Sequence, residues 1–292
     1  MPDAADPMKP PKPRILLQLD TDPHPSVFDA VVAVDAGVDH LLRHGGVRPE
    51  AVRDLVHGLL FTRGGDDLRR SAVWVGGSDV PAAEAILAAV LAAGFGPFRV
   101  SAVLDPNGAN TTAAATARAI ERSLGGPSET NPTPTRAVVL GAGPVGRRVA
   151  RLLARRGAHV RVGTPDPDQA VEGIEMFLLE GDWPEAFAEV DVIVAAGPAG
   201  VEILPGVGRD RFPHLKVAVD LNAVPPHGLG GIKPADADAD RDGVRAWGAL
   251  GVGGLKMKIH KAVVRALFDG PPTAFDLEQV DEVARRLDAP TA

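Results

Sequence analysis

Residues 136–166 read RAVVLGAGPVGRRVARLLARRGAHVRVGTPD. The run Ala137 to Leu140 is apolar and β-branched enough for a buried strand, and it meets a glycine turn. A helical period follows, with Val145, Val149, Leu152 and Leu153 apolar, and Ala158 to Val162 then reads as a second strand. Such a strand, helix, strand unit has the length of a dinucleotide-binding fold. Gly141, Gly143 and Gly146 match G-x-G-x-x-G, and each glycine has a mechanical reason. The first permits the tight turn, the second lets backbone approach a pyrophosphate, and the third lets the helix pack close to the strand with its N-terminus toward the anion. Pro144 lies at a first-turn position that needs no N–H, and with Val145 it joins the three glycines as a candidate cofactor-binding residue.

An acid closing the second strand of such a unit bonds the ribose 2′-hydroxyl of NAD. Thr164 stands there instead, followed by Pro165 and Asp166. A neutral Thr does not repel a 2′-phosphate, which leans toward NADP and leaves NAD as the alternative. No Arg follows to pair with that phosphate; Arg161 and Arg147 are the replacements, unless both are solvated surface charges.

Upstream, the first 124 residues alternate strand and helix, the pattern of a parallel three-layer α/β domain spanning 14–124. Expected strands over Arg14 to Leu19, Ser71 to Val75 and Arg99 to Leu104 exit into Asp20 to His24, Gly76 to Asp79 and Asp105 to Asn110. Ligands of parallel sheets bind beyond the carboxyl ends of the strands, so three polar loops on one edge make a pocket. Asp20, Asp22, His24, Asn107 and Asn110 are its candidate residues, although each loop taken singly reads as a turn. Ser26 caps a helix through Asp35 with Val27, Val31 and Val34 on one face, and a loop carrying His40 and His44 leads to the next helix.

Residues 1–13 read as a flexible proline-rich tail, 125–135 as a linker, and 136–254 as the Rossmann-like dinucleotide-binding domain. Within the latter a helix is expected over Val171 to Leu179. The strand Asp191 to Ala195 exits into Ala196 and Gly197, small residues that let a nicotinamide ribose approach the backbone. Lys216 to Leu221 ends at Asn222, which either holds a carboxamide or starts a turn. Asp236 to Asp242 reads as a solvated acidic loop. A flexible glycine run, Gly248 to Gly254, precedes the helix of Lys256, and the helices of 255–292 are expected to pack back on the first domain.

Hydrophobic content of 45% and charged content of 24% over 292 residues are those of an ordinary soluble protein. No run is long enough to cross a bilayer and no signal peptide is evident, so no membrane association is expected. The absence of cysteine removes disulfides, thiol nucleophiles and thiolate metal sites, and points to the cytoplasm. A net charge of −7 argues against a nucleic-acid surface.

Taken together, QLDTDPHPSVFD (Gln18 to Asp29), FTRG (Phe61 to Gly64), VGGSD (Val75 to Asp79), NGANTTAAA (Asn107 to Ala115), GAGPVG (Gly141 to Gly146) and GALGVGGLKMKIH (Gly248 to His260) resemble the methylene-tetrahydromethanopterin dehydrogenases of methylotrophic bacteria. The similarity runs from about Ile15 to Leu287. The resemblance implies oxidation of methylene-tetrahydromethanopterin to the methenyl cation with NADP or NAD, in formaldehyde oxidation. It also implies a reduced pterin bound in a cleft between two domains, and a homo-oligomer, commonly a trimer. The family follows the second nucleotide strand with Thr-Ser-Arg-Lys, whereas this chain has Gly163-Thr164-Pro165-Asp166.

In that reaction a hydride leaves a carbon held between two nitrogens, whose lone pairs supply the electrons, so no general base is required. The protein supplies a fixed approach and negative potential where the amidinium charge grows. Asp20 and Asp22 suit the second task, unless they only shape a strand-exit turn. Lys256, singled out by the resemblance, is expected to pair with Asp20 or to bond the pterin's polar edge. A methylene-tetrahydrofolate dehydrogenase and a non-catalytic NAD(P) sensor are the rival readings.

Overall fold

The computed structural model describes residues 11–126, 134–166, 171, 173–179, 187 and 189–287. Most of the expected tail and of the expected linker lie outside them. The chain forms two compact units, Met1–Asn107 with Val263–Phe275, and Gly108–Ala262 with Asp276–Ala292.

In the first unit, β1 (Ile15–Asp20), β2 (His40–His44), β3 (Ser71–Gly76), β4 (Ser101–Leu104) and β12 (Ala274–Phe275) form one sheet in the order β12-β4-β3-β1-β2. Every neighbouring pair is parallel. Helices α1 (Val27–Asp35), α2 (Pro49–Leu60) and α3 (Val80–Ala93) connect the strands. The central strands are buried along almost their whole length, as parallel strands covered on both faces must be. Leu17, Leu19, Val73 and Val75 meet Val52, Val56, Ile86 and Val90 of α2 and α3 in the core.

Two local expectations are corrected here. The segment with His40 and His44 is not a loop but the edge strand β2; its polar residues are tolerated because most of it is exposed. Val27, Val31 and Val34 do share a face of α1, but it is the outer one, 67%, 56% and 59% exposed. Ala30, Val32 and Ala33 are buried instead, small enough to bring this short helix close to the sheet.

The second unit holds β5 (Arg136–Leu140), β6 (His159–Thr164), β7 (Glu175–Leu178), β8 (Val192–Ala195), β9 (Val217–Asp220), β10 (Ala237–Arg241) and β11 (Val244–Trp247), in the order β10-β11-β9-β8-β5-β6-β7. All pairs are parallel except β10 with β11. Its helices are α4 (Ala109–Leu124), α5 (Pro144–Arg155), most of α6 (Ala249–Ala266) and α7 (Leu277–Arg286). The expected helix over Val171 to Leu179 is corrected to a left-handed turn at Gly173 followed by β7, which extends the sheet beside β6. The expected acidic loop at Asp236 to Asp242 is a hairpin arm. Asp236 is buried, accepting the Lys233 N–H at 2.8 Å and pairing with Arg241, while Asp238 accepts from Arg245 Nε at 2.8 Å.

The glycine run is the first turns of α6 rather than a flexible junction. A Cβ at Gly248 would lie 2.0 Å from the Lys233 carbonyl oxygen, and one at Gly251 1.9 Å from that of Asp236, so glycine there lets the helix abut that loop. The division of the chain also differs from the expected one. Ala109–Leu124 packs on α5 and α7 in the second unit, and it is 263–275, ending in β12, that returns to the first sheet. Within the second unit, Arg156 is 3% exposed and pairs with Glu121 of α4 at 3.0 Å and with Asp281 of α7. Burial pushes the Asp281 carboxyl above its usual range; Arg156 draws it back and Glu121 adds to the rise.

Candidate active site

The glycine turn follows β5. Gly141 has φ +115°, and a Cβ there would sit 2.6 Å from the Ala196 carbonyl oxygen; one at Gly146 would sit 2.0 Å from the Gly141 carbonyl oxygen. Both therefore serve close packing of turn, helix and the β8 exit. Gly143 differs: its backbone is extended at φ −69° and ψ 178°, and nothing lies within 4 Å of where its Cβ would be. Pro144 and Val145 open α5, whose N-cap Gly143 supplies no side-chain hydrogen bond. An uncapped helix start beside open space at the second glycine fits a pyrophosphate held by backbone N–H groups.

Thr164 is buried at the end of β6, its Oγ accepting the Asp166 N–H at 3.3 Å. Of the two replacement arginines, Arg161 is engaged with Glu175 at 2.8 Å, whereas Arg147 donates its Nε to the Ala142 carbonyl at 2.7 Å and so stays at the glycine turn. Ala196 and Gly197 begin the exit of β8, and a Cβ at Gly197 would strike Ile203 Cδ1 at 2.4 Å. Asn222 is buried with its amide turned inward: Oδ1 accepts from Val224 N at 2.9 Å and Gly200 N at 3.3 Å, and Nδ2 donates to Pro226 O at 3.0 Å. Its side chain therefore builds the two loops at the ends of β8 and β9.

A residue missed in the sequence completes that construction. Asp220, buried at the end of β9, accepts the N–H groups of Asn222 and Leu229, each at 2.9 Å. Burial raises its carboxyl above the usual range despite those bonds and the nearby His227. The signal available was an acid closing the apolar run Val217 to Val219.

In the first unit the three strand-exit loops do come together. Asp20 is 1% exposed; its carboxylate accepts the Asp22 N–H at 2.9 Å and the Ser26 N–H at 3.0 Å. Asp22 accepts from Ser78 Oγ at 2.6 Å and Ser78 N at 3.1 Å, joining the first loop to the second. The Asn107 N–H donates to the Gly77 carbonyl at 2.7 Å, joining the second loop to the third. A Cβ at Gly77 would lie 1.9 Å from Thr21 Oγ1, which explains a glycine at the crossing. Arg43 clasps the loop from outside, donating Nε to Gln18 Oε1 at 2.9 Å and Nη2 to Pro25 O at 2.6 Å. His24 and the Asn107 side chain are exposed on this edge.

Asn110 is not on the edge. Fully buried in α4, it donates Nδ2 to Asp276 at 3.1 Å and accepts from Arg148 Nε at 2.6 Å, ties that belong to the scaffold of the second unit. Lys256 lies on α6, half-buried, with Nζ close to the backbone of Gly108.

Residues 27–107 match the model of the methylene-tetrahydromethanopterin dehydrogenase N-terminal domain, a match that stops where the first unit's main segment stops. The bifunctional protein MdtA of Methylorubrum extorquens is 39% identical over 288 residues, covering 94% of this chain and 99% of its own. The chain belongs to the methylene-tetrahydromethanopterin dehydrogenase family. The NAD(P)-dependent methylenetetrahydromethanopterin dehydrogenase of the same organism is 31% identical over 279 residues, covering 89% of this chain and 94% of its own. Among solved structures, a chorismate mutase/shikimate 5-dehydrogenase fusion protein from Clostridium acetobutylicum aligns with a TM-score of 0.49 at 15% identity, over 95% of this chain and 97% of that one.

Proposed function

We propose that this chain transfers a hydride from methylene-tetrahydromethanopterin to NADP, with NAD as the second acceptor, giving the methenyl cation. The observation that carries this is a glycine turn open at Gly143 within a family member whose other unit gathers Asp20, Asp22 and Asn107 on one sheet edge.

A nicotinamide dinucleotide, when bound, would supply the hydride acceptor. Gly141, Gly143, Pro144, Val145 and Gly146 would hold its pyrophosphate by their backbone, Arg147 and Thr164 would receive its adenosine half, and Ala196, Gly197 and Asn222 would shape the loops for its nicotinamide half. No proton leaves the pterin, so the protein's task is electrostatic. The N–H groups of Asp22 and Ser26 hold the Asp20 carboxylate in one orientation, ready to offset the amidinium charge as it forms. Asp22, held by Ser78, adds to the same potential, while His24 and Asn107 bond the polar edge of the pterin. Lys256, with its Nζ beside Gly108 at the start of α4, is the second charged group proposed for the step.

The wider assignment is to formaldehyde oxidation in the cytoplasm by a homo-oligomer, commonly a trimer. The cysteine-free composition supports the cytoplasm and the exposed apolar face of α1 supports the homo-oligomer, while formaldehyde oxidation follows from the family resemblance alone. Among the described residues no helix is long and apolar enough to cross a membrane.

The test is turnover with the methanopterin and folate carriers, each with NADP and NAD. Asp20→Asn and Lys256→Ala should each lower turnover by about a hundredfold, equivalent to roughly 3 kcal/mol of lost transition-state stabilisation, while NADP affinity stays within about twofold. Wild-type turnover in either variant removes that residue from the mechanism. Faster reaction of the folate carrier reassigns the substrate, and no transfer from either carrier leaves a dinucleotide-binding sensor.

A further inference from the structure

The exit of β4 ends in two successive left-handed residues, Asn107 at φ 54° and ψ 20° and Gly108 at φ 63° and ψ 27°, before α4 begins at Ala109. Gly108 caps that helix without a side chain, and its carbonyl accepts from Thr112 Oγ1 at 2.6 Å and Thr111 Oγ1 at 3.3 Å. The vacant Cβ position is taken by another residue. A carbon there would lie 2.2 Å from Lys256 Nζ and 3.1 Å from Lys256 Cε.

An ammonium group at the start of α4 sits at the positive end of the helix dipole, which favours anions. Helix stability therefore does not account for its position. A backbone turn also does not need a lysine beside it, since the other left-handed glycine of the same helix, Gly125 at its C-cap, has φ +80° and nothing within 4 Å of its Cβ position.

We infer that Gly108 is a positioning residue for Lys256: the missing side chain forms the seat of its ammonium group, so that the start of α4 and α6 together fix where that charge stands during hydride transfer. This rests on the proposed role of Lys256. Even one added carbon must move Nζ by more than an ångström to reach ordinary contact, and displacements of that size at a reacting centre cost about a hundredfold in rate.

A matched pair of variants separates this from a purely conformational need for glycine. Gly108→Ala and Gly125→Ala each force alanine into the left-handed region at opposite ends of one helix, so both should lower the Tm by a few degrees. Only Gly108→Ala should lower kcat, by about tenfold to a hundredfold with NADP affinity unchanged, while Gly125→Ala keeps turnover within about twofold. Equal kcat for Gly108→Ala and Gly125→Ala overturns the inference.

A crystal structure of Gly108→Ala provides a readout that needs no activity. Nζ ends a flexible side chain, so it should give way to the new Cβ and stand more than an ångström from its wild-type place. A Lys256 Nζ that keeps its wild-type place in that variant overturns the contact itself. Wild-type turnover of Lys256→Ala would instead sink the role of the lysine, and failure of the wild-type enzyme to transfer hydride would sink the proposed activity; the displacement reads the seat in either case.

Discussion

Replacing the second and the third glycine of the turn by alanine should produce opposite defects. At Gly146 the new Cβ would stand 2.0 Å from the Gly141 carbonyl oxygen, against about 3.4 Å for ordinary contact, so backbone must shift by about 1.4 Å. No flexible side chain is there to give way. Overpacking of this kind costs about 3 kcal/mol, or roughly 6–12 °C of Tm for a domain of this size. At Gly143 the backbone is in a region open to any residue and the Cβ meets nothing. The exchange should cost less than about 1 kcal/mol as a helix cap. It does place a methyl group where the pyrophosphate must approach backbone, which should weaken NADP binding by about tenfold to a hundredfold, roughly 1.4–2.8 kcal/mol. Scanning fluorimetry and calorimetric titration with NADP on the two purified variants make the comparison. Wild-type affinity in Gly143→Ala would refute the placement of the cofactor at this turn. Equal Tm losses in the two variants would refute the division of labour among the glycines.

Arg156→Met should cost about 3–5 kcal/mol at neutral pH, because it takes the paired cation from the buried carboxylate of Asp281 and one cation from that of Glu121, which keeps Arg118. The Asp281 carboxyl already lies above its usual range in the folded protein, and losing Arg156 raises it further. A raised acid contributes stability at low pH that is lost as pH rises through the folded value, so the gap between variant and wild type should narrow on acidification; urea melts from pH 7 to pH 5 check this. Asp236 responds in the opposite direction. Burial alone would raise its carboxyl, but the Arg241 side-chain bond, the Lys233 N–H and both nearby cations bring it below the usual range. Its stabilisation is therefore present above the usual carboxylate range and lost as pH falls through the depressed value. Asp236→Asn should cost about 1–3 kcal/mol at pH 7 and nothing once both forms are neutral, read from melts of the two proteins across that range.

What could be read from the chain in advance was whatever is decided within a few residues. The three glycines of the turn, the Ser26 cap and the runs that become β1, β3, β5 and β8 answer to local geometry and to burial on two faces. The hairpin of β10 and β11 does not, because its acids are neutralised by Arg241 and Arg245, five and seven residues further on, and appear in isolation as a solvated charge run. The glycines of α6 misled for a related reason. Glycine marks both looseness and close approach, and only the carbonyls of Lys233 and Asp236 show which applies. In the site itself, the residue types of the exit loops pointed to one polar edge, and hydrogen bonds do join the three loops. Hydrogen-bond direction was not legible, so Asn110, whose amide serves the scaffold, was grouped with the exit-loop residues, the two readings of Asn222 stayed open, and Asp220 was overlooked.

The two-residue strand β12 bears on how the polypeptide emerges from the ribosome. Ala102 donates its N–H to Thr273 O at 3.0 Å, and Thr273 donates its own to Ser101 Oγ at 3.2 Å, so the outer edge of β4 has no strand partner until residue 275 has been made. From Leu104 to Phe275 is 275 − 104 = 171 residues, roughly 10–35 s of synthesis at about 5–20 residues per second. Throughout that interval the nascent amino-terminal sheet presents a bare apolar border, open to pairing with a neighbouring chain. Ribosomes that stall or messages that end early should accordingly yield aggregates rather than a soluble half-enzyme.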